Sequence, residues 1–291
     1  MGAVNEWERD YNLNEARKHP SKRVEAAHQT QALAKLLAWY ESAPTPDAGG
    51  LLVLPTGGGK TFTAVRFLCR NPLSDGYKVL WLAHTHHLLE QALDSFGKRV
   101  NGADDMEVGL IREPKERLRA RVVSGTPGHS RIAAVTREDD VVICTLQTVV
   151  RAYREKHAAL RAFLDAAKGK LMVVFDEAHH APAPSYTEFL VDLRREAPQM
   201  KLLGLTATPM YSDEKRGGWL TKLFPQKRLF EVSASRLIAE GILAQPVAIH
   251  CGTKVEPKLD PAQFQRWRAT YQDVPEDIIT QLATNQQRND R

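Results

Sequence analysis

Short apolar runs alternate with longer amphipathic stretches along this chain. The runs occupy residues 51–54, 78–83, 141–148, 171–175 and 201–205, and each has the length of a strand buried on both faces. Apolar residues recur at helical spacing over residues 23–41 and 62–70. Two further helical stretches follow the second and third runs and end near residues 96 and 167. This alternation predicts an α/β domain: a largely parallel sheet flanked by helices, with a ligand crevice at the carboxyl ends of the strands.

Other segments have weaker patterns. Residues 1–22 are polar and aperiodic, which predicts a mobile arm or a short appended helix. Residues 98–140 hold a candidate strand at 108–111 and then a basic stretch, for which two interpretations stay open: contact with a phosphate backbone, or a solvated charged hairpin. After residue 210 we predict a strand at 228–232, a helix at 233–240 ended by Gly241, a strand at 246–250 and a polar helical segment at 261–291.

Composition narrows the class of protein. The 291 residues carry 40 Lys and Arg against 35 Asp and Glu, a net charge of +5 that permits a polyanionic partner without identifying one. The three cysteines are Cys69, Cys144 and Cys251, widely spaced and odd in number, which argues against a disulfide framework. No segment is apolar enough to cross a bilayer, so we expect a cytoplasmic protein without a membrane partner.

The first apolar run leads into a glycine-rich turn. The sequence Pro55-Thr56-Gly57-Gly58-Gly59-Lys60-Thr61, called the phosphate loop below, opens a helical pattern. Glycines let backbone N–H groups converge on a phosphate, and the helix start adds partial positive charge. Lys60 would reach the β- and γ-phosphates of ATP, and the Thr61 hydroxyl would bind Mg²⁺. The strict form of this loop has glycine where this chain has Leu54.

Paired carboxylates follow the fourth apolar run. Asp176 would lie at the carboxyl edge of a buried strand, where it can hold Mg²⁺ directly or through water. Glu177 is then placed to orient and deprotonate the attacking water, and His179 can relay the state of the γ-phosphate. We therefore predict that Lys60, Asp176, Glu177 and His179 form an ATP-hydrolysing site.

The phosphate loop, the D-E-A-H sequence at 176–179 and the L-T-A-T-P sequence at 205–209 together resemble superfamily 2 helicases and translocases of the DEAH subtype. The resemblance implies a RecA-like P-loop NTPase fold. It assigns the adenine contact to Gln29, with Gln31 as the alternative, and it assigns coupling of ATP to nucleic-acid movement to Thr206 and Thr208. The Leu-Thr-Ala-Thr-Pro version is typical of restriction-enzyme motor subunits, which favours DNA over RNA.

The same resemblance assigns nucleic-acid contacts to two strand ends. Thr85 and His86 follow the second apolar run, and Thr145 and Gln147 end the third. Three histidines at 84, 86 and 87 leave three interpretations open: a phosphate-contacting turn, plain surface histidines, or a metal site. Two metal ligands on one helix are usually four residues apart, and no two of these histidines have that spacing, which argues against the metal site.

The resemblance divides the chain into an arm (1–22), an ATP-binding first core domain (23–210) and a connector (211–291) toward a second RecA-like domain. That second domain, in a longer protein or a partner, would supply an arginine finger, so this chain alone should hydrolyse ATP weakly. We expect a nucleic-acid-dependent ATPase, using ATP and Mg²⁺ and acting on DNA in defence, restriction or repair. The alternatives are an RNA helicase or RNA-sensing ATPase, and a nucleotide-gated interaction module without remodelling activity.

Overall fold

An eight-stranded sheet lies at the centre of the computed structural model, with strand order β1-β6-β7-β3-β8-β9-β2-β10. The structure describes residues 6–42, 48–100, 103–167, 169–180, 184–208, 222–226 and 228–246. All neighbours in the sheet pair in parallel except β1 and β6, which are antiparallel. The strands are β1 (Glu8–Asn12), β2 (Gly49–Val53), β3 (Lys78–Ala83), β4 (Lys98–Val100), β5 (Ala103–Asp105), β6 (Arg117–Val123), β7 (Val141–Thr145), β8 (Leu171–Asp176), β9 (Lys201–Thr206) and β10 (Arg228–Glu231); β4 and β5 form a separate hairpin.

Helices cover both faces of the sheet. One apolar core packs α2, α3 and α4 against inward residues such as Trp81 and Leu205, and a second core packs α5, α6 and α7 on the other face against residues such as Leu82 and Val173. The central strands are mostly apolar because both of their faces are buried. The predicted α/β fold is confirmed. The helices are α1 (Leu13–Ala16), α2 (Ala27–Ser42), α3 (Lys60–Arg70), α4 (His86–Phe96), α5 (Leu146–Arg154), α6 (Ala158–Ala166), α7 (Pro184–Glu196) and α8 (Ala234–Ala239).

The amino-terminal segment belongs to the sheet. Residues Glu8–Asn12 pair with β6, so that Tyr11 lies opposite Leu118, and the buried Leu13 begins α1. The expectation of a mobile arm or appended helix is therefore wrong for residues 8–12. Polar and apolar residues alternate only weakly in β1, because charged residues of the strand, such as Asp10, pair with arginines of β6 instead of facing an apolar core. The three-part division of the chain itself stays a prediction.

Two expectations for residues 98–140 change. Residues Glu107–Leu110 form a 3₁₀ helix, not a strand: the Gly109 N–H donates to the Met106 carbonyl at 3.0 Å and the Ile111 N–H to the Val108 carbonyl at 3.1 Å. Gly109 also packs closely against α1, since a Cβ there would lie 2.4 Å from the Ala16 carbonyl oxygen. Much of the basic stretch lies at the amino ends of the parallel strands. Arg117 and Arg119 in β6 pair with Asp10, and Lys115 pairs with Asp140 just before β7. These charges therefore lie at the edge of the sheet opposite the strand carboxyl ends.

The segment after β9 returns to the sheet at its other edge. Strand β10 pairs with β2, and α8 begins at Ser233, whose hydroxyl accepts the Arg236 N–H at 3.2 Å. Both elements were predicted, as was the end of the helix at Gly241. The chain up to residue 244 forms one compact unit. The predicted strand at 246–250, apart from Pro246, and the predicted helical segment at 261–291 lie outside the described residues, as does most of 211–227. Across the described ranges, no helix is both long and apolar enough to cross a membrane.

Candidate nucleotide-binding site

A cleft of about 410 Å³ lies at the carboxyl ends of β2 and β8 and brings together the two distant halves of the predicted ATP site. Lys60 and Thr61 line it from the start of α3, and Asp176 and Glu177 line it from the end of β8. The strand order explains this: only β9 separates β2 from β8, and all three run in the same direction. Thr56, Gly57 and Gly59 complete the phosphate-loop side, and the remaining lining residues are Arg23, Phe62, Leu88, Gln91 and Ser95.

The phosphate loop has the backbone of an anion site. Gly57 and Gly59 adopt φ values of 81° and 83°, in the left-handed region that glycine tolerates best. The turn is held by the Gly58 N–H, which donates to the Pro55 carbonyl at 2.9 Å. Gly59 is the N-cap of α3, and within the described residues no side chain caps that helix. The first N–H groups of α3 are therefore left for a bound anion, which the helix dipole also favours.

Asp176 is a buried carboxylate facing this cleft. Its side chain is 3% exposed, and burial, followed by the nearby charge of Glu177, raises the pKa of Asp176 to about 6. Lys60 acts in the opposite direction and lowers it. A buried carboxylate is costly to ionise without a cation, so this position suits a group that binds metal. Together with the Thr61 hydroxyl it offers the oxygen ligands that Mg²⁺ prefers, alongside water and phosphate oxygens.

Glu177 is held in a strained conformation. Its φ is 53°, which is uncommon outside glycine, and its N–H donates to the Asp176 carboxylate at 3.0 Å. Its carboxylate lies 3.3 Å from Nδ1 of His179, which is also 3.3 Å from the Thr206 hydroxyl. In turn the Thr208 N–H donates to that hydroxyl at 3.1 Å. A continuous set of polar contacts thus runs from the cleft to the end of β9.

Of the two glutamines considered for adenine, Gln29 lies against the phosphate loop and Gln31 is exposed. The Gln29 Nε2 donates to the Gly58 carbonyl at 3.4 Å, and its Oε1 accepts the Ala26 N–H at 3.0 Å. Sequence reasoning missed the neighbouring His28, which is buried and whose Nε2 lies 3.0 Å from the same carbonyl. The signal for it was available, because His28 falls on the buried face of the predicted helix.

The candidate nucleic-acid residues lie at the carboxyl ends of the adjacent strands β3 and β7. Thr85, His86 and Gln147 are exposed there, with Gln147 in the first turn of α5 and not in the strand. Thr145 differs: it is 4% exposed and its hydroxyl bonds the Thr148 hydroxyl at 2.7 Å. Its partner Thr148 is half-buried, and Thr145 presents little surface of its own, so its contact with nucleic acid stays a prediction.

The structure also bears on the histidines before α4. Within the part of the chain that is described, no three His, Cys, Asp or Glu side chains are grouped so that they could hold a metal ion. The three interpretations of these histidines stay predictions.

Comparison with known proteins adds a family match. A model described as "Type III restriction enzyme, res subunit" matches residues 23–211. Among curated proteins, no match is found.

Several solved structures are similar at low identity. The helicase domain of Pyrococcus furiosus Hef shares 22% identity over 70% of this chain and 37% of that one, with a TM-score of 0.46. Dbp5 of S. cerevisiae bound to RNA and ADP BeF3 shares 19% over 76% and 49%, with a TM-score of 0.49. The type ISP restriction-modification enzyme LlaGI, in complex with a DNA substrate mimic, shares 17% over 76% and 21%, with a TM-score of 0.45. This chain spans less than half the length of each of the three structures.

Proposed function

The chain belongs to the family described as the type III restriction enzyme Res subunit, a superfamily 2 helicase-like ATPase domain with a RecA-like fold, and from this premise we propose that it is the ATP-binding first core domain of a DNA translocase or helicase. The proposal includes the DEAH-type site, hydrolysis of ATP, action on DNA in defence, restriction or repair, and a cytoplasmic location. One observation carries it: Lys60, Thr61, Asp176 and Glu177 line one cleft although more than a hundred residues separate the two pairs.

The residues of the cleft fit ATP with Mg²⁺. The uncapped start of α3 and the Lys60 amine bind the phosphates, and Thr61 and Asp176 hold the metal ion. When bound, Mg²⁺ neutralises charge on the phosphate oxygens. The buried Asp176 supports this assignment, because a neighbouring cation offsets the cost of its ionisation.

Glu177 is the group that we assign to the attacking water. It faces the cleft, its carboxylate is partly exposed, and its left-handed backbone is a strain of the kind that concentrates at functional sites. The general base of such a reaction orients the water and accepts its proton. His179 lies between Glu177 and Thr206, so it is placed to pass the state of the cleft to the strand end that precedes Thr208.

An arginine finger is a second cation besides Lys60, and the described lining of the cleft offers one candidate for it. Arg23 is the one arginine among the described residues of the lining, and it is paired with Asp105 at 2.6 Å. An arginine finger accelerates phosphoryl transfer by roughly 10³ to 10⁵. We therefore propose that a second RecA-like domain, in the same protein or a partner, supplies this arginine, and that the chain alone turns over slowly.

For nucleic acid, we propose that DNA binds across the carboxyl ends of β3 and β7. Thr85, His86 and Gln147 are exposed there, and the start of α5 adds N–H groups that favour a phosphate. The preference for DNA rests on the family match and on the Leu-Thr-Ala-Thr-Pro sequence at 205–209.

Binding of labelled oligonucleotides tests the substrate without relying on turnover. Duplex DNA, single-stranded DNA and RNA of one sequence are titrated with the full 291-residue chain, with and without Mg²⁺ and a non-hydrolysable ATP analogue, at two salt concentrations. We expect the analogue to change affinity for DNA more than for RNA, and Lys60→Ala to abolish that change. A larger change for RNA would contradict the DNA assignment and support the RNA alternative. A nucleotide effect that persists in Lys60→Ala would contradict the proposed site.

A further inference from the structure

Each of the three glycines in the phosphate loop is covered by a side chain from elsewhere in the chain. A Cβ at Gly57 would lie 3.0 Å from Cδ2 of Leu243, and one at Gly58 would lie 3.3 Å from Cδ1 of Leu237. At Gly59 the nearest atom would be the Gln29 Nε2, at 2.3 Å. Side chains at these positions would therefore crowd Leu243, Leu237 and Gln29. The lack of side chains at these glycines therefore allows this packing as well as the close approach of a phosphate.

Leu237 contacts the loop from within α8, and Leu243 reaches it through the turn that ends this helix. Gly241 has φ of 70°, and its N–H donates to the Ile238 carbonyl at 3.0 Å. The Ile242 N–H donates to the Leu237 carbonyl at 2.8 Å, and the Leu243 N–H to the same carbonyl at 3.1 Å. This pattern is a Schellman motif, which reverses the chain after a helix. We call residues 240–243 the connector turn, and it brings Leu243 back beside Leu237.

The loop is thus held from two sides by different kinds of contact. From α2, His28 and Gln29 bond the Gly58 carbonyl, which fixes one peptide group. From α8 the fully buried Leu237 packs on Gly58, and from the connector turn the half-buried Leu243 packs on Gly57. Apolar packing is needed on this side because Gly57 and Gly59 have no side chains of their own to limit their φ and ψ.

We propose that Leu237 and Leu243 are positioning residues that hold the phosphate loop in its nucleotide-binding conformation, so that the connector turn sets the affinity for ATP. The proposal rests on the function proposed above for the loop. The physical reason is that apparent affinity is proportional to the fraction of molecules whose loop is in the binding-competent conformation. Loss of the leucine contact frees the two flanking glycines, and the N–H groups no longer converge.

The chain offers variants that separate this role from general stability. Leu243→Ala removes the contact, and Leu243→Met restores volume and apolar character. Gly241→Ala strains the turn without a steric clash, since nothing lies within 4 Å of a Cβ there. Gly169→Ala is its matched control, because Gly169 has φ of 82° and is equally open, but it lies between α6 and β8. Ile242→Ala controls for the loss of a leucine-sized side chain, since Ile242 is 45% exposed.

Hydrogen exchange of the phosphate loop provides a readout that needs no nucleotide. The reporter is the peptide covering residues 54–61, which contains the Gly58 N–H bonded to Pro55. We expect Leu243→Ala and Gly241→Ala to speed its exchange by roughly tenfold, which corresponds to about 1.4 kcal/mol and is of the size that a left-handed residue other than glycine costs. Leu243→Met, Gly169→Ala and Ile242→Ala should leave the exchange near that of the wild type. Equal exchange in Gly241→Ala and Gly169→Ala would overturn the proposal.

Calorimetric titration with Mg·ATP gives the second readout. Leu243→Ala should weaken binding by roughly tenfold and raise KM with little change in kcat, because it alters the loop's population and not the base. Unchanged affinity beside faster exchange would show that the contact does not position the loop for nucleotide, and so would also overturn the proposal. A wild type that fails to bind Mg·ATP would instead overturn the proposed function, while the exchange data still decide whether the leucines hold the loop.

Discussion

Replacing Arg66 with alanine should destabilise the fold far more than removing any surface arginine. Arg66 lies in α3, and its side chain is 2% exposed. It makes two hydrogen bonds to Glu107, of 2.9 and 2.7 Å, and Glu107 is itself 1% exposed. The same guanidinium bonds the Arg23 carbonyl at 2.8 Å and Glu25 at 2.9 Å. It therefore ties the helix that follows the phosphate loop to the segment that precedes Gln29.

The magnitude follows from what the substitution leaves behind. Without Arg66, the Glu107 carboxylate stays buried without its cation, a change that costs about 3 to 5 kcal/mol of unfolding free energy. For a unit of this size, 1 kcal/mol lowers the melting temperature by roughly 2 to 4 °C, so the expected fall is roughly 6 to 20 °C. Arg151→Ala is the matched control, because Arg151 also pairs with a glutamate but its side chain is 78% exposed.

Differential scanning calorimetry or urea denaturation at neutral pH measures these changes. We expect no resolvable shift for Arg151→Ala, because exposed pairs contribute little. The double variant Arg66→Met, Glu107→Leu removes both charges and should recover more than half of the loss. The reasoning fails if Arg66→Ala melts within error of Arg151→Ala, or if the double variant is no more stable than the single one.

Three further predictions concern the site. Glu177→Gln should retain ATP affinity in calorimetry while turnover falls by roughly 10² to 10⁴; wild-type turnover would exclude Glu177 as the base. His86→Ala with Gln147→Ala should weaken DNA binding in anisotropy titrations, whereas Arg117→Ala with Arg119→Ala should not, because those arginines lie at the opposite edge of the sheet and pair with Asp10. An effect only of the arginine pair would place the DNA elsewhere. Gln29→Ala should weaken ATP binding and Gln31→Ala should not, because only Gln29 contacts the phosphate loop; the reverse order would restore Gln31 as the adenine contact.

The elements that sequence pattern located are those whose signal is local. The apolar runs at 78–83 and 171–175 became β3 and β8 because burial on both faces requires a continuous apolar strand. Because β8 runs in the same direction as β2, Asp176 lies at the edge of the sheet that carries the phosphate loop. The shared cleft follows from topology rules that apply to any parallel sheet.

What the pattern did not locate depends on pairs far apart in sequence. Residues of β1 lack apolar alternation because Asp10 pairs with Arg117 and Arg119, roughly a hundred residues later. The contact of Leu243 with Gly57 joins a residue near the end of the described chain to the phosphate loop, almost two hundred residues earlier. Thr145 could be placed at a strand end, but its bond to Thr148 depends on where α5 begins. Such contacts have no local signature, so a single sequence does not reveal them.

Calorimetric titration of Mg·ATP into the wild type and Lys60→Ala tests most directly whether the glycine-rich loop and the buried Asp176 form one nucleotide site. The account predicts saturable, Mg²⁺-dependent binding to the wild type and loss of tight binding in Lys60→Ala, with both proteins melting at similar temperatures. Equal affinities in the two proteins would contradict it.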